Sequence, residues 1–360
     1  MNSSSLHASR LARGLISRRQ LLALAGLGLA GAAAGLAGCG QSANASQAGT
    51  AASAGATAAG TKNVNFGFAG DAAEESLLWN GAVAQKEGYL DDELGKAGYA
   101  ATVTGFSQGG PRINEALSSG ALDFAEYGDL PIYTARSQGV AIKVIGVANS
   151  RSEYGVCAGK SSGIKELKDL VGKKVVVGFG TVNHHYLWSA LKKQGISIGD
   201  LELFNSASDG PSMIASGQAD AFAGPLTVLN VAVNKGVGDI IASSRDDESL
   251  SSTYLYVVRE QFLADEPEAA TALLRALKSA YDFATKNEDK TYDDISRKSM
   301  SADQIRQAYG YDTFDNFNPQ VTDTVRAKLE DLGEFAFENQ LVKQKVDLDD
   351  LIDNGPYEQA

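Results

Sequence analysis

Cysteine occurs twice and histidine three times in 360 residues. Two thiols cannot staple a scaffold of this size, and one stands at position 39, ahead of everything that reads as globular. No intrachain disulfide is therefore expected, and Cys157 reads as a buried strand residue. So few thiols and imidazoles leave little for a His/Cys metal centre, so neither metal nor cofactor is expected. Basic charge is scarce too: 32 Lys and Arg face 44 Asp and Glu, a net charge of −12. Such a surface repels phosphate and argues against nucleic acid. There is no Walker loop, no G-x-G-x-x-G opening a helix, no H-E-x-x-H and no G-x-S-x-G, so no catalytic residue is assigned. What remains is 44% apolar content over a length that favours two globular lobes.

The first 38 residues differ from the rest. Arg10, Arg13, Arg18 and Arg19 precede a 17-residue stretch, 21–37, of almost pure Leu, Ala and Gly, with no acid throughout. A basic segment before an apolar one is the layout of an export signal. Arg18-Arg19 resembles the twin-arginine motif, with the general secretory route left open. A membrane-spanning anchor is the other reading, though the stretch is short and weakly hydrophobic for one. Leu36-Ala37-Gly38-Cys39 looks like a lipobox, and its thiol suits a lipid acceptor because thiols are strong nucleophiles near neutral pH. Removing 38 residues and four arginines leaves 322 residues with a charge of −16. Residues 40–61 are uncharged Ala, Gly, Ser, Thr, Gln and Asn. They bury too little surface to offset chain entropy, so 39–62 reads as a lipidated cysteine with a disordered tether reaching about 25 Å.

From Val64 the pattern becomes regular. Strands are expected at 64–68, 101–106, 124–127, 142–147, 154–158, 174–179, 201–204, 221–223, 239–242 and 253–258, with helical stretches between many of them. This alternation is an α/β architecture, parallel-rich sheets flanked by helices. After 258 the chain turns mainly helical, with Leu273, Leu277, Ala280, Tyr281 and Ala284 on one face. An internal echo runs through Phe106, Gly110-Pro111, Ser119-Gly120 and Asp123, then Phe204, Gly210-Pro211, Ser216-Gly217 and Asp220. Either two related lobes or chance similarity of two α/β units would produce it.

Open α/β sheets bind ligands at the carboxyl ends of their strands, which directs attention to the loops there. The first, from Asp71, is long and acidic. Gly110-Pro111-Arg112 opens a helix over 111–119, offering free N–H groups and a guanidinium. Arg112 could equally face solvent or pair with Glu115 three residues on. Tyr127-Gly128-Asp129 follows the next strand, where Asp129 caps a helix or meets ligand. Thr181, Asn183, His184 and His185 occupy the matching turn of the second half, and adjacent histidines point to different faces of a helix. Gly224-Pro225 completes the set.

Taken in order and spacing, several pieces resemble the solute-binding lipoproteins of ABC importers in the aliphatic sulfonate, taurine and nitrate branch. They are Gly110-Pro111 with Asn114-Glu115-Ala116-Leu117, Gly120 and Asp123-Phe124; Gly128-Asp129 with Pro131; Asp169-Leu170 with Gly172-Lys173-Lys174-Val175; Gly180-Thr181; and His184 with Ala190-Leu191. The resemblance covers about residues 63–355. It implies a two-lobed periplasmic-binding-protein type II fold, a Venus flytrap with crossovers near 160–163 and 243–252. Lobe 1 would be 63–160 plus 248–360, and lobe 2 would be 161–247. It also implies that Gly110, Arg112, Asp129, Thr181 and His184 hold an anionic head. Two departures stand out. Ala223-Gly224 precede Pro225 where sulfonate binders often carry Trp, and the acidic first loop is longer; both imply a larger or partly cationic ligand.

The expectation is an exported, monomeric receptor, lipid-anchored through Cys39 on the extracytoplasmic face of the cell membrane. It would capture a small polar or anionic solute and deliver it to a membrane permease with its ATPase. An exported enzyme or a ligand-sensing lipoprotein on the same fold are the alternatives.

Overall fold

The computed structural model describes residues 60–360 except 108, 207–208, 299 and 311–313. The expected export leader, lipidated Cys39 and most of the expected tether lie outside the described residues.

Strand β1 (Lys62–Phe68) alternates, burying Val64, Phe66 and Phe68. Helices α1 (Trp79–Lys86) and α2 (Tyr89–Lys96) carry the chain over to β2 (Tyr99–Gly105), which pairs with β1 in parallel along its whole length. Helix α3 (Gly110–Ser119) then leads to β3 (Phe124–Gly128), on the opposite side of β1. After α4 (Asp129–Ser137) comes β4 (Ile142–Ser152).

The chain then changes sheets. β5 (Tyr154–Gly159), β6 (Lys174–Val177), β7 (Glu202–Asn205), β8 (Ala221–Pro225) and β9 (Gly238–Ser243) form a second sheet. Helices α5 (Val182–Lys193), α6 (Gly210–Ala215) and α7 (Leu226–Asn234) accompany them. β10 (Ser252–Arg259) returns to the first sheet, and α8 (Glu260–Asp265), α9 (Pro267–Ala284), α10 (Glu288–Ile295), α11 (Ala302–Tyr309) and α12 (Asp323–Glu338) follow. On α9, Leu273, Leu277, Ala280 and Ala284 are buried as their spacing predicts, with Tyr281 partly covered.

The two sheets have one plan. Their orders are β2-β1-β3-β10-β4 and β7-β6-β8-β5-β9. In each, parallel neighbours flank the strand second in that order, β1 or β6, and one antiparallel strand, β10 or β5, sits between the third and the last. The echo read from the sequence falls on corresponding units, β2-α3-β3 and β7-α6-β8. In both, a glycine opens the helix where no side chain fits. A methyl on Gly110 would lie 2.3 Å from Pro131 Cβ, and one on Gly210 2.7 Å from the Phe222 ring.

Because β5 pairs with β8 and β9, the chain leaves the first sheet at Glu153, upstream of 160–163. Glu153 is 1% exposed. Arg245, on the return passage, donates Nε–H to its Oε2 at 2.7 Å, and Arg151 Nε stands 3.1 Å from its Oε1 as an ion pair. One carboxylate thus ties the two passages together.

Candidate functional site

A cavity of about 810 Å³ is lined by strand ends and helix starts. The first sheet contributes Ala69 after β1, Gly109 to Pro111 at the start of α3, and Gly128 at the end of β3. The second contributes Phe179 to Val182 at the start of α5, and Tyr254 of β10 closes one side. Helix starts from both sheets therefore face one space. Aligned peptide dipoles give each such start roughly half a positive charge, which favours an anion.

Local chemistry explains both starts. Gly109 has φ 64° and ψ −146°, a backbone that disfavours any side chain, and Pro111 occupies the first turn of α3, where its missing N–H costs nothing. Gly180 has φ 66°, and the Thr181 hydroxyl donates to the Gly178 carbonyl at 2.6 Å, shaping the turn before α5. Asn114 is the internal brace of the α3–α4 wall. Its Nδ2 donates to the Pro131 carbonyl at 2.9 Å, and its Oδ1 accepts from the Tyr127 hydroxyl at 2.7 Å.

Of the residues expected to hold ligand, Gly110, Pro111, Gly128 and Thr181 line this cavity together. The others stand elsewhere. Arg112 is exposed, pairs with Glu115 Oε2 at 2.6 Å, and lines a separate open hollow with Phe106 and Ser107. Asp71 lies exposed in its loop, where Oδ1 accepts from the Ala73 N–H at 2.9 Å. Tyr127 is fully buried behind Asn114. Asp129 is 3% exposed and accepts from the N–H groups of Leu130 and Thr253 and from the Ser252 hydroxyl, tying α4 to β10. Burial raises its pKa, against the pull of His185 and those donors.

His184 and His185 both pack around Phe335 of α12, at 5.2 and 4.9 Å between ring centroids. His184 also stacks on Phe179, and its Nδ1 accepts from the Gly180 N–H at 3.3 Å. Burial, then the neighbouring imidazole, lower its pKa and keep it neutral. His185 instead reaches Asp331 at 3.1 Å, and the Ser189 hydroxyl donates to the same carboxylate. Asn183 is buried, with no partner for its Oδ1 among the described residues. Gly224 and Pro225 lie within β8, paired with Gly155 and Tyr154 of β5.

Tyr254 and Glu126 escaped the sequence reading. Tyr254 was visible only as a strand residue, yet it walls the cavity. Glu126 sits in an apolar run, FAEYG, that is buried throughout. Its Oε2 accepts the Leu78 N–H at 2.9 Å, fixing the start of α1, and burial pushes its pKa up to about 8. A lone acid in a buried strand was the available signal.

The profile of a family described as NMT1/THI5 like matches residues 83–291. A Bacillus subtilis (strain 168) protein named for binding aliphatic sulfonates is 24% identical over 277 residues, spanning 76% of this chain and 82% of that one. Among solved structures, the sulfonate-binding protein SsuA of a Methylobacillus flagellatus KT ABC transporter superposes with a TM-score of 0.73 at 21% identity, covering 83% of this chain and 93% of that one. The desulfurization enzyme DSZB superposes with a TM-score of 0.66 at 16% identity, covering 82% and 98%. The two mixed sheets flanked by helices are those of the periplasmic binding protein fold.

Proposed function

The chain belongs to the NMT1/THI5-like family, and from that premise we propose that it is the extracytoplasmic solute receptor of an ABC importer, taking a small anionic solute of the sulfonate, taurine or nitrate type. The observation that carries this reading is the cavity of about 810 Å³ into which α3 and α5 present their starts from different sheets. Its polar wall includes Asn114, Ser118, Thr134, Gln138 and Thr181, neutral hydrogen-bonding groups that suit an oxygen-rich head, and Glu115, whose charge is offset by its pair with Arg112. Local sign matters here, because a mature chain of charge −16 repels anions at long range.

In this reading residues 63–160 with 248–360 form one lobe and 161–247 the other, adjusted at the first passage to Glu153. The lobes close on the solute by rotation about the two passages. The monomer hangs from the membrane by acylated Cys39 and its tether, and hands its cargo to a permease with its ATPase. The test is isothermal titration of butanesulfonate, taurine and nitrate, with small-angle scattering of free and loaded protein. Binding of at least one, with a smaller radius of gyration, is the expected result. Absence of binding by all three, or an unchanged radius at saturation, refutes it.

Likeness to the desulfurization enzyme favours a second reading, an enzyme on the same fold. Cys157 offers such chemistry little, since burial pushes its thiol to about 11, leaving almost no thiolate at neutral pH. Mass spectrometry of the bound solute after prolonged incubation separates the two, because a receptor returns it unchanged.

A further inference from the structure

We infer that the solute is an aromatic anion, that its ring enters a side pocket opening off the main cavity, and that Arg297 supplies the counter-charge. This rests on the solute-receptor reading and names the substrate class within it. The side pocket has a volume of about 220 Å³ and shares Ala69 and Tyr254 with the main cavity. An apolar cavity of roughly 150 Å³ is enough to hold benzene, so a single ring fits. The walls suit one: Trp79, Tyr254 and Tyr309 supply aromatic surface, and Ile295, Met300 and Ile305 supply aliphatic surface. The indole meets Tyr309 at 5.2 Å and Tyr254 at 6.0 Å, both edge to face, which fixes all three rings.

Arg297 is the unusual group in this lining. Eight of the nine described arginines form an ion pair with a carboxylate. Arg297, half-buried in an apolar pocket, has neither an ion pair nor a side-chain hydrogen bond among the described residues. A guanidinium that shares an apolar pocket and has no partner stands ready to pair with an arriving anion. Glu126, the buried carboxyl that feels the charge of Arg297, is largely neutral at pH 7, since burial pushes its pKa up to about 8. Arg112, the expected counter-ion, is already taken by Glu115.

Trp79 is the second unusual group. It holds a φ of 45°, rare for a bulky side chain, and its indole N–H is buried with no acceptor among the described residues. The Leu78–Glu126 hydrogen bond holds this strained turn in place. A strained aromatic wall and an unpaired cation meet in one pocket, and an aromatic sulfonate or carboxylate would pair with the guanidinium while filling the space.

The test uses benzenesulfonate and butanesulfonate with wild type and Arg297→Gln. Wild type is expected to bind benzenesulfonate more tightly than butanesulfonate. Arg297→Gln is expected to weaken benzenesulfonate by 10- to 100-fold, with the melting temperature of the free protein little changed. An effect below twofold, with both sulfonates still bound, overturns the inference and leaves the receptor reading standing. Failure of wild type to bind either sulfonate, taurine or nitrate overturns both. A second measurement is independent of that variant's folding. Trp79 and Trp188 are the chain's two tryptophans, so Trp188→Phe leaves Trp79 as the sole reporter. Its emission should shift on titration with benzenesulfonate, and unchanged emission at saturation overturns the inference.

Discussion

Replacing Glu126 by Gln should make the protein more stable, by an amount that depends on pH in a defined way. The carboxyl is fully buried, with Oε2 accepting the Leu78 N–H and Oε1 unpartnered among the described residues. Its pKa rises from 4.5 to about 8, burial being the main cause and the Leu78 hydrogen bond the main opposing one. Between those values the folded chain holds a proton that the unfolded chain has released. Stability therefore falls as pH rises through that window. At about 1.4 kcal/mol per unit, the loss is about 3 kcal/mol at pH 7 and about 1 kcal/mol at pH 5. Glutamine keeps a carbonyl for Leu78 and never ionises. Its amide donor is as poorly partnered as the O–H of the neutral acid, so that cost is common to both proteins. Urea unfolding followed by circular dichroism at the two pH values gives the difference directly. Glu126→Gln should gain about 3 kcal/mol at pH 7 and about 1 kcal/mol at pH 5. A variant that gains nothing at pH 7, or the same at both, would refute the argument.

Other outcomes follow from the same geometry. Gly110→Ala should destabilise the protein by about 1–3 kcal/mol, because its methyl meets Pro131 at 2.3 Å; an unchanged urea midpoint would show that α3 and α4 part without cost. His184 has a lowered pKa, so the unfolded chain takes up its proton first and stability falls as pH drops below about 6.5. His184→Asn keeps an acceptor for the Gly180 N–H but loses packing on Phe335, so its deficit at pH 7.5 should shrink at pH 5.5; a deficit constant with pH contradicts this. Cys39→Ser should release the protein from membranes or leave it unprocessed, and normal cleavage with full membrane retention counts against the lipobox.

Alternation of β-branched runs with amphipathic stretches was enough to locate all ten strands and the helices beside the cavity. What it could not supply was strand partnership. The run at 154–158 offers no alternation of polar and apolar residues, so nothing in its pattern says which sheet it joins, and the first passage was expected too late in the chain. Site residues divide in the same way. Gly110 and Thr181, which line the cavity, were legible as helix starts because such starts carry local punctuation. Arg112 lies outside that cavity and pairs with Glu115, the alternative its sequence also offered. Arg297 had no such signal. Its meaning lies in the absence of a partner and in the company of Trp79, more than two hundred positions away, and neither is a property of neighbouring letters.

Buried Glu153, held by a half-exposed arginine from each passage, bears on how the proposed lobes would move. Interdigitated apolar side chains resist rotation, since turning one layer against another opens voids or forces overlaps. A carboxylate gripped by one guanidinium from each passage behaves more like a universal joint. Its attractions act over a broad range of angles, so the strands can swivel about a stationary centre while the pairs lengthen and shorten only slightly. The same arrangement opposes sliding or separation, because drawing either arginine away strands a charge in a place water barely reaches. Such a pivot has one cheap degree of freedom and several expensive ones. Each opening would then return along nearly the same arc, and the helix starts at the far end of the lever would meet again in register.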